Sequence, residues 1–169
     1  IPPMLYLAEV LKNDDRWQPL VIMGSEIPFP FETARSAIET PWIAPQTNLT
    51  LPLIESWGIP TRLATLQGYD GCHAGYVTVP SRVWLNSLAK DELDTVSVFS
   101  CGPTPMLEAV AKLASEFDLP CQVSLEEYMA CAVGGCAGCA VPVQTDQGPA
   151  MQRVCVDGPV FDATTVFPS

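Results

Sequence analysis

Three thiols stand at Cys131, Cys136 and Cys139, a C-x4-C-x2-C spacing, and a fourth, Cys155, follows sixteen positions after Cys139. Thiolate sulfur is a soft anionic donor. Four of them at this spacing form the plant-type ligand pattern for a [2Fe–2S] cluster. Structural zinc is a competing reading, but it usually takes two separated CxxC-like pairs, whereas here a three-cysteine loop faces one distant partner. A disulfide pair is the other, and it needs an oxidising compartment. The glycines in the loop have work to do. Gly134, Gly135 and Gly138 allow positive φ without a Cβ clash, and they let backbone N–H groups approach sulfur, which helps set a cluster's potential. Glu126 and Glu127 precede the loop, either as negative charge that lowers that potential or as a solvated helix start.

A second set of candidates lies upstream. Cys101-Gly102-Pro103 follows an apolar run and precedes a helical pattern, so it belongs at the carboxyl edge of a sheet, where open α/β folds bind ligands. The helix after it offers a positive dipole end to phosphate or a polarised carbonyl. Its plain alternative is an ordinary strand-to-helix turn with a buried thiol. His73 is the single histidine and sits in a Gly-rich stretch, which fits a surface position better than a proton-transfer role. Cys72 and Cys121 fit as small apolar packing residues.

The elements that must position these residues follow from periodicity. Residues 2–11 carry apolar side chains at helical spacing behind Pro2 and Pro3. Strands are expected over 18–24, 61–66, 95–100 and 120–124, and short helices over 53–57 and from Ser81 through Leu88. A longer helix with Met106, Leu107, Val110, Leu113, Ala114 and Phe117 on one face follows Pro103. Residues 33–38 read as a helical turn and 76–79 as a short extended piece. Strands alternating with helices predict an α/β chain with a doubly wound parallel sheet to about residue 119. Beyond it, Val141–Gln144 and Met151–Val154 around Asp146–Pro149 predict a hairpin that returns Cys155 to the cysteine loop.

Composition sets the outer bounds. A chain of 169 residues with 48% hydrophobic and 16% charged content can bury a core. Its net charge of −11 argues against nucleic acid and anionic membrane surfaces, and no apolar run is long enough to span a bilayer. Of the seven cysteines, Cys72, Cys101 and Cys121 sit apart from one another, which suits a reducing compartment better than a disulfide scaffold. The first residues enter a helix without a cap, so the chain reads as the trailing part of a longer one.

Taken together, five stretches resemble a known family. They are Ile1-Pro2-Pro3-Met4, Met23-Gly24-Ser25-Glu26, the run from Cys101 to Leu107, the run from Ser124 to Cys131, and Cys155-Val156-Asp157-Gly158-Pro159-Val160-Phe161. The family is the electron-transfer subunits of type B dihydroorotate dehydrogenases, within the ferredoxin–NADP reductase superfamily, and the resemblance covers essentially the whole chain. It implies a nicotinamide-binding α/β domain over 1–123 and a [2Fe–2S] domain over 124–169. It also implies FAD and NAD as further cofactors, and cytoplasmic work with a catalytic FMN-containing subunit that oxidises dihydroorotate, as a homo-oligomer or heterotetramer. Cys101, Gly102 and Pro103 then lie near the nicotinamide and flavin rings. Gly24, Ser25 and Glu26 close the strand after the family's Gly-rich turn, which gives Glu26 the place of an acidic residue that binds the ribose of NAD, with a solvated loop carboxylate as the plain alternative. The flavin barrel, the first strand and that turn do not appear in this sequence. The strand is central in the family's sheet, so an unpaired apolar seam is expected. Two rivals remain: a reductase component of another NAD(P)-linked complex, and a four-cysteine zinc interaction module without redox activity.

Overall fold

The computed structural model describes residues 1–168, and by its contacts the chain forms two compact units that part between Ala89 and Lys90. In the first, helix α1 (Pro2–Leu11) has no side-chain cap and starts on proline, whose missing N–H is no loss there. Strand β1 (Val21–Gly24) follows, then the two-residue strands β2 (Ala34–Arg35) and β3 (Leu49–Thr50), helix α2 (Pro52–Glu55) and strand β4 (Thr61–Thr65). Strand β5 (His73–Ala74) and helix α3 (Thr78–Ser87) complete the unit.

The sheet runs β1-β4-β5 with every pairing parallel. All five residues of β4 are buried, as a strand covered on both faces requires. Ala8, Met23, Leu51, Ile54, Ile59 and Leu63 form the core beneath it. The expected helical turn at 33–38 is instead the β2–β3 ribbon. Tertiary contacts decide this: the Glu55 carboxylate accepts from Ser36 Oγ at 2.9 Å and from the N–H of Ala37 at 2.7 Å. Two further expectations are corrected. The extended piece is His73–Ala74 rather than 76–79, and α3 begins at Thr78, with Ser81 Oγ donating back to Val77 O at 2.8 Å instead of capping.

The second unit opens with helix α4 (Lys90–Leu93), strand β6 (Val98–Cys101), helix α5 (Thr104–Glu116) and strand β7 (Cys121–Ser124). The hairpin strands β8 (Ala140–Thr145) and β9 (Gly148–Arg153) follow, and strand β10 (Val160–Asp162) and helix α6 (Ala163–Val166) close it. Strand order is β10-β7-β6, with β6 and β7 parallel and β10 antiparallel. Strand β10 was not foreseen. It pairs Phe161 with Val123, so the chain returns from the cysteine region into the sheet. Leu107, Val123 and Val154 are the fully buried centre of this core.

The α/β class with parallel pairing is borne out, its parallel strands divided between two three-stranded sheets. β1 and β6 each stand at the edge of their own three-stranded sheet, as do β5 and β10. No described helix is long and apolar enough to cross a membrane.

Candidate metal centre

The cysteine loop is built by backbone conformation rather than by regular structure. After β7, Leu125 N–H donates to Pro159 O at 2.9 Å, and the chain then leaves the sheet. Three residues of the loop take left-handed φ: Ala132 at 55°, Gly134 at 75° and Ala137 at 55°. Of the three glycines expected to do this, only Gly134 does. Ala132 and Ala137 carry the other turns, at about 1–2 kcal/mol each for a Cβ in that region. Gly138 serves the second purpose read from the sequence. Its N–H donates to Cys136 Sγ at 3.3 Å, and a Cβ there would also sit 3.3 Å from that sulfur.

Cys155 arrives by the hairpin. The β8–β9 register ends at Ala140 opposite Arg153, and Val154 N–H then donates to Cys139 O at 3.0 Å. Val154 is wholly buried, which turns its neighbour Cys155 outward, 3.2 Å from Cys139 sulfur to sulfur.

Electrostatics divides the four thiols into two pairs. Backbone N–H from Val133, then hydrogen bonds from Cys136 and Gly135, pull the Cys131 thiol down to about 6. Cys139 is lowered by the N–H and thiol of Cys155, while Cys155 is raised, first by its hydrogen bond to Cys139 and further by the charges of Cys139 and Cys131. So Cys131 pairs with Cys136, and Cys139 with Cys155. Among the described residues, no three His, Cys, Asp or Glu side chains converge on one ion position. Four thiols with amides already aimed at sulfur are the donors that a [2Fe–2S] cluster takes, two thiolates to each iron. The donor set fits the cluster.

A labelling order follows for the metal-free chain. Thiolate is the nucleophile, so at pH 7 Cys131, with its pKa near 6, should react first with iodoacetamide. Cys121 is buried, and burial pushes it up to about 11, so it should react last. Acidifying through pH 6 should slow Cys131, because its thiolate is lost there. Peptide mass mapping reads the order, and uniform labelling would contradict it.

The upstream candidates lie in different units. Cys101 ends β6, and its thiol donates to Glu126 Oε1 at 3.8 Å; burial first and the Glu126 charge second raise its pKa. A Cβ at Gly102 would meet Met106 Cε at 2.5 Å, the movable end of a flexible side chain, and Pro103 precedes α5. In the first unit, a Cβ at Gly24 would meet Val77 at 2.8 Å, Ser25 Oγ donates to Ile27 O at 2.6 Å, and Glu26 is exposed just beyond β1. His73 lies in β5 with its Nε2 buried and without a hydrogen-bond partner. Sequence reasoning missed the contact of Glu126 with Cys101, and it passed over Arg153. The only hint of the latter was an Arg–Asp pair at 153 and 157.

Comparisons with known proteins bear on the segment that holds these cysteines. Residues 126–167 match the family described as the iron–sulfur cluster binding domain of dihydroorotate dehydrogenase B. The electron transfer subunit of dihydroorotate dehydrogenase B (NAD(+)) from Caldanaerobacter subterraneus subsp. tengcongensis is 51% identical over 70 residues, 41% of this chain and 28% of that protein. The Bacillus pumilus subunit of the same name is 40% identical over 107 residues, 63% of this chain and 37% of that one. The chain thus spans well under half the length of these relatives. A solved NADH-dependent reduced ferredoxin–NADP oxidoreductase shares the fold, with a TM-score of 0.52 and 24% identity over 69% of this chain and 38% of its own. This chain is therefore similar to the electron-transfer subunits of dihydroorotate dehydrogenase B, and its residues 126–167 match their iron–sulfur cluster binding domain family.

Proposed function

We propose that the chain carries electrons between a dihydroorotate-oxidising FMN subunit and NAD+, with Cys131, Cys136, Cys139 and Cys155 holding a [2Fe–2S] cluster and FAD completing the route in the cytoplasm. The observation that supports this most is the sorting of four thiols into two neighbouring pairs inside a segment of the matching family. When bound, the cluster would supply one-electron steps between two flavins, each of which takes or gives an electron pair at its own substrate.

The residues supply position and charge. Loop amides at Val133, Gly135 and Gly138 face thiolate sulfur, which stabilises negative charge there. In this reading residues 1–123 serve the nicotinamide and 124–169 the cluster. In this reading Gly102 and Pro103, just before α5, stand nearest the nicotinamide, and Cys101 lies beside them with its thiol on Glu126. Exposed Glu26 accepts from ribose hydroxyls and repels a 2′-phosphate.

Purification in air-free buffer tests the centre. A red-brown chain with iron and sulfide in equal amounts supports the reading, and a colourless chain holding one zinc overturns it. NAD-linked dihydroorotate oxidation by the assembled enzyme should require this chain, and no dependence would remove the named partner. Replacing Glu26 with Ser should raise NADP+ use relative to NAD+ by about tenfold, equivalent to about 1.4 kcal/mol. Steady-state kinetics with both nucleotides reads that ratio.

A further inference from the structure

The two thiol pairs are held by different things. Hairpin register and the Val154 N–H to Cys139 O bond fix Cys155 beside Cys139. Short-range bonds tie Cys136 to the hairpin end, from Gly138 N–H to Cys136 Sγ at 3.3 Å and from Ala140 N–H to Ala137 O at 3.1 Å. The long-range contact between hairpin and loop converges on Gly134, which lies between Cys131 and Cys136. Arg153 Nη1 donates to Gly134 O at 2.8 Å, across nineteen positions of chain. On its other side, Gly134 lies so close to Val156 that a Cβ would meet Cγ2 at 2.6 Å. Arg153 and Val156 flank Cys155 in sequence.

The guanidinium is itself braced. Asp157 Oδ2 accepts from the Arg153 backbone N–H at 2.7 Å and lies 3.7 Å from Nε, while Asp157 N–H donates to Arg153 O at 2.8 Å. As an isolated ion pair, half in solvent, Arg153 and Asp157 would contribute little. Their value lies in aiming Nη1 at a carbonyl of the cysteine loop. A charged donor on a carbonyl is also among the stronger hydrogen bonds.

We propose that Arg153 and Val156 form a lock on Gly134 that positions the Cys131–Cys136 pair against the Cys139–Cys155 pair before any metal binds, Arg153 being a positioning residue whose charge also favours the reduced state of the bound centre. The second part rests on the cluster reading; the first does not. The lock gives Gly134 a packing reason beyond its φ, and it explains why an arginine stands at the last residue of β9.

The test uses Arg153→Gln, Arg153→Lys and Val156→Ala in the full chain. In the metal-free protein, dibromobimane bridges neighbouring thiols, and peptide mapping counts the products. Wild type should give bridges from Cys155 both to Cys139 and to Cys131 or Cys136. Arg153→Gln and Val156→Ala should each cut the second kind about fivefold or more while sparing the Cys139–Cys155 bridge, since only the first brace is lost. In the loaded protein, chelator-driven bleaching should speed up about tenfold in Arg153→Gln. An EPR-monitored titration should give that variant a more negative midpoint, recovered in Arg153→Lys, which a purely structural role would not do. An unchanged bridge distribution overturns the lock, and so does parallel loss of both bridges, because the side chains would then be holding the hairpin rather than the loop. A wild-type chain that takes up no iron and sulfide overturns the cluster reading instead, and the bridge counts still decide the lock.

Discussion

Cys136→Ser should leave a folded but colourless chain that passes no electrons. Cys136 is exposed, so its sulfur contributes little to the core, and its recorded contacts are the Gly138 N–H and its neighbour Cys131. Loss of colour in this variant cannot be ascribed to a packing defect. A serine hydroxyl is a poor ligand at neutral pH, and a cluster needs all four of its thiolates. Iron content should fall to a tenth or less of wild type, while helical circular dichroism is retained, because α5 packs through Leu107, Ala111 and Ala114. Cys121→Ser is the contrast. Cys121 lies in the core of the same unit but outside the thiol pairs, so burying a hydroxyl there should lower stability by about 1–3 kcal/mol and leave the colour intact. Colour retained in Cys136→Ser, or lost in Cys121→Ser, would refute the ligand assignment.

What could be read from the sequence depended on how local each cause was. Strand β4 and helix α5 were legible because their apolar runs and 3.6-residue spacing answer to burial alone. The hairpin was legible because Asp146–Pro149 punctuates two short extended runs. The β2–β3 ribbon was not, since its conformation is imposed by a carboxylate nineteen residues away at Glu55. Strand β10 is three residues inside Val156–Ala163, too short for any period, and exists by pairing with β7. At the site, spacing identified the four cysteines and the glycines marked a tight loop. It could not say which residues would turn left-handed, because alanine tolerates that turn at a small penalty. Nor could it find Arg153, whose role depends on where a long side chain ends.

Gly134→Ala and Gly135→Ala should separate widely, although the two glycines are adjacent and look equivalent in sequence. Gly134 combines φ of 75° with a Cβ direction blocked by Val156 at 2.6 Å. Left-handed φ alone penalises alanine by about 1–2 kcal/mol. The clash adds to that unless Val156 swings away, and Val156 sits next to Cys155, so relief on one side displaces a ligand on the other. Gly135 has no such φ, and a Cβ there would meet nothing within 4 Å. Gly134→Ala should therefore lose about tenfold or more in cluster retention under chelator, read as the rate of bleaching, whereas Gly135→Ala should stay within about twofold of wild type. Measured in a Val156→Ala background, which has already lost that contact, Gly134→Ala meets no clash, so its penalty there should shrink to the backbone strain alone. No penalty in that background would mean that φ at this position carries no strain, and an undiminished one would mean that Val156 is not what fills the space over Gly134.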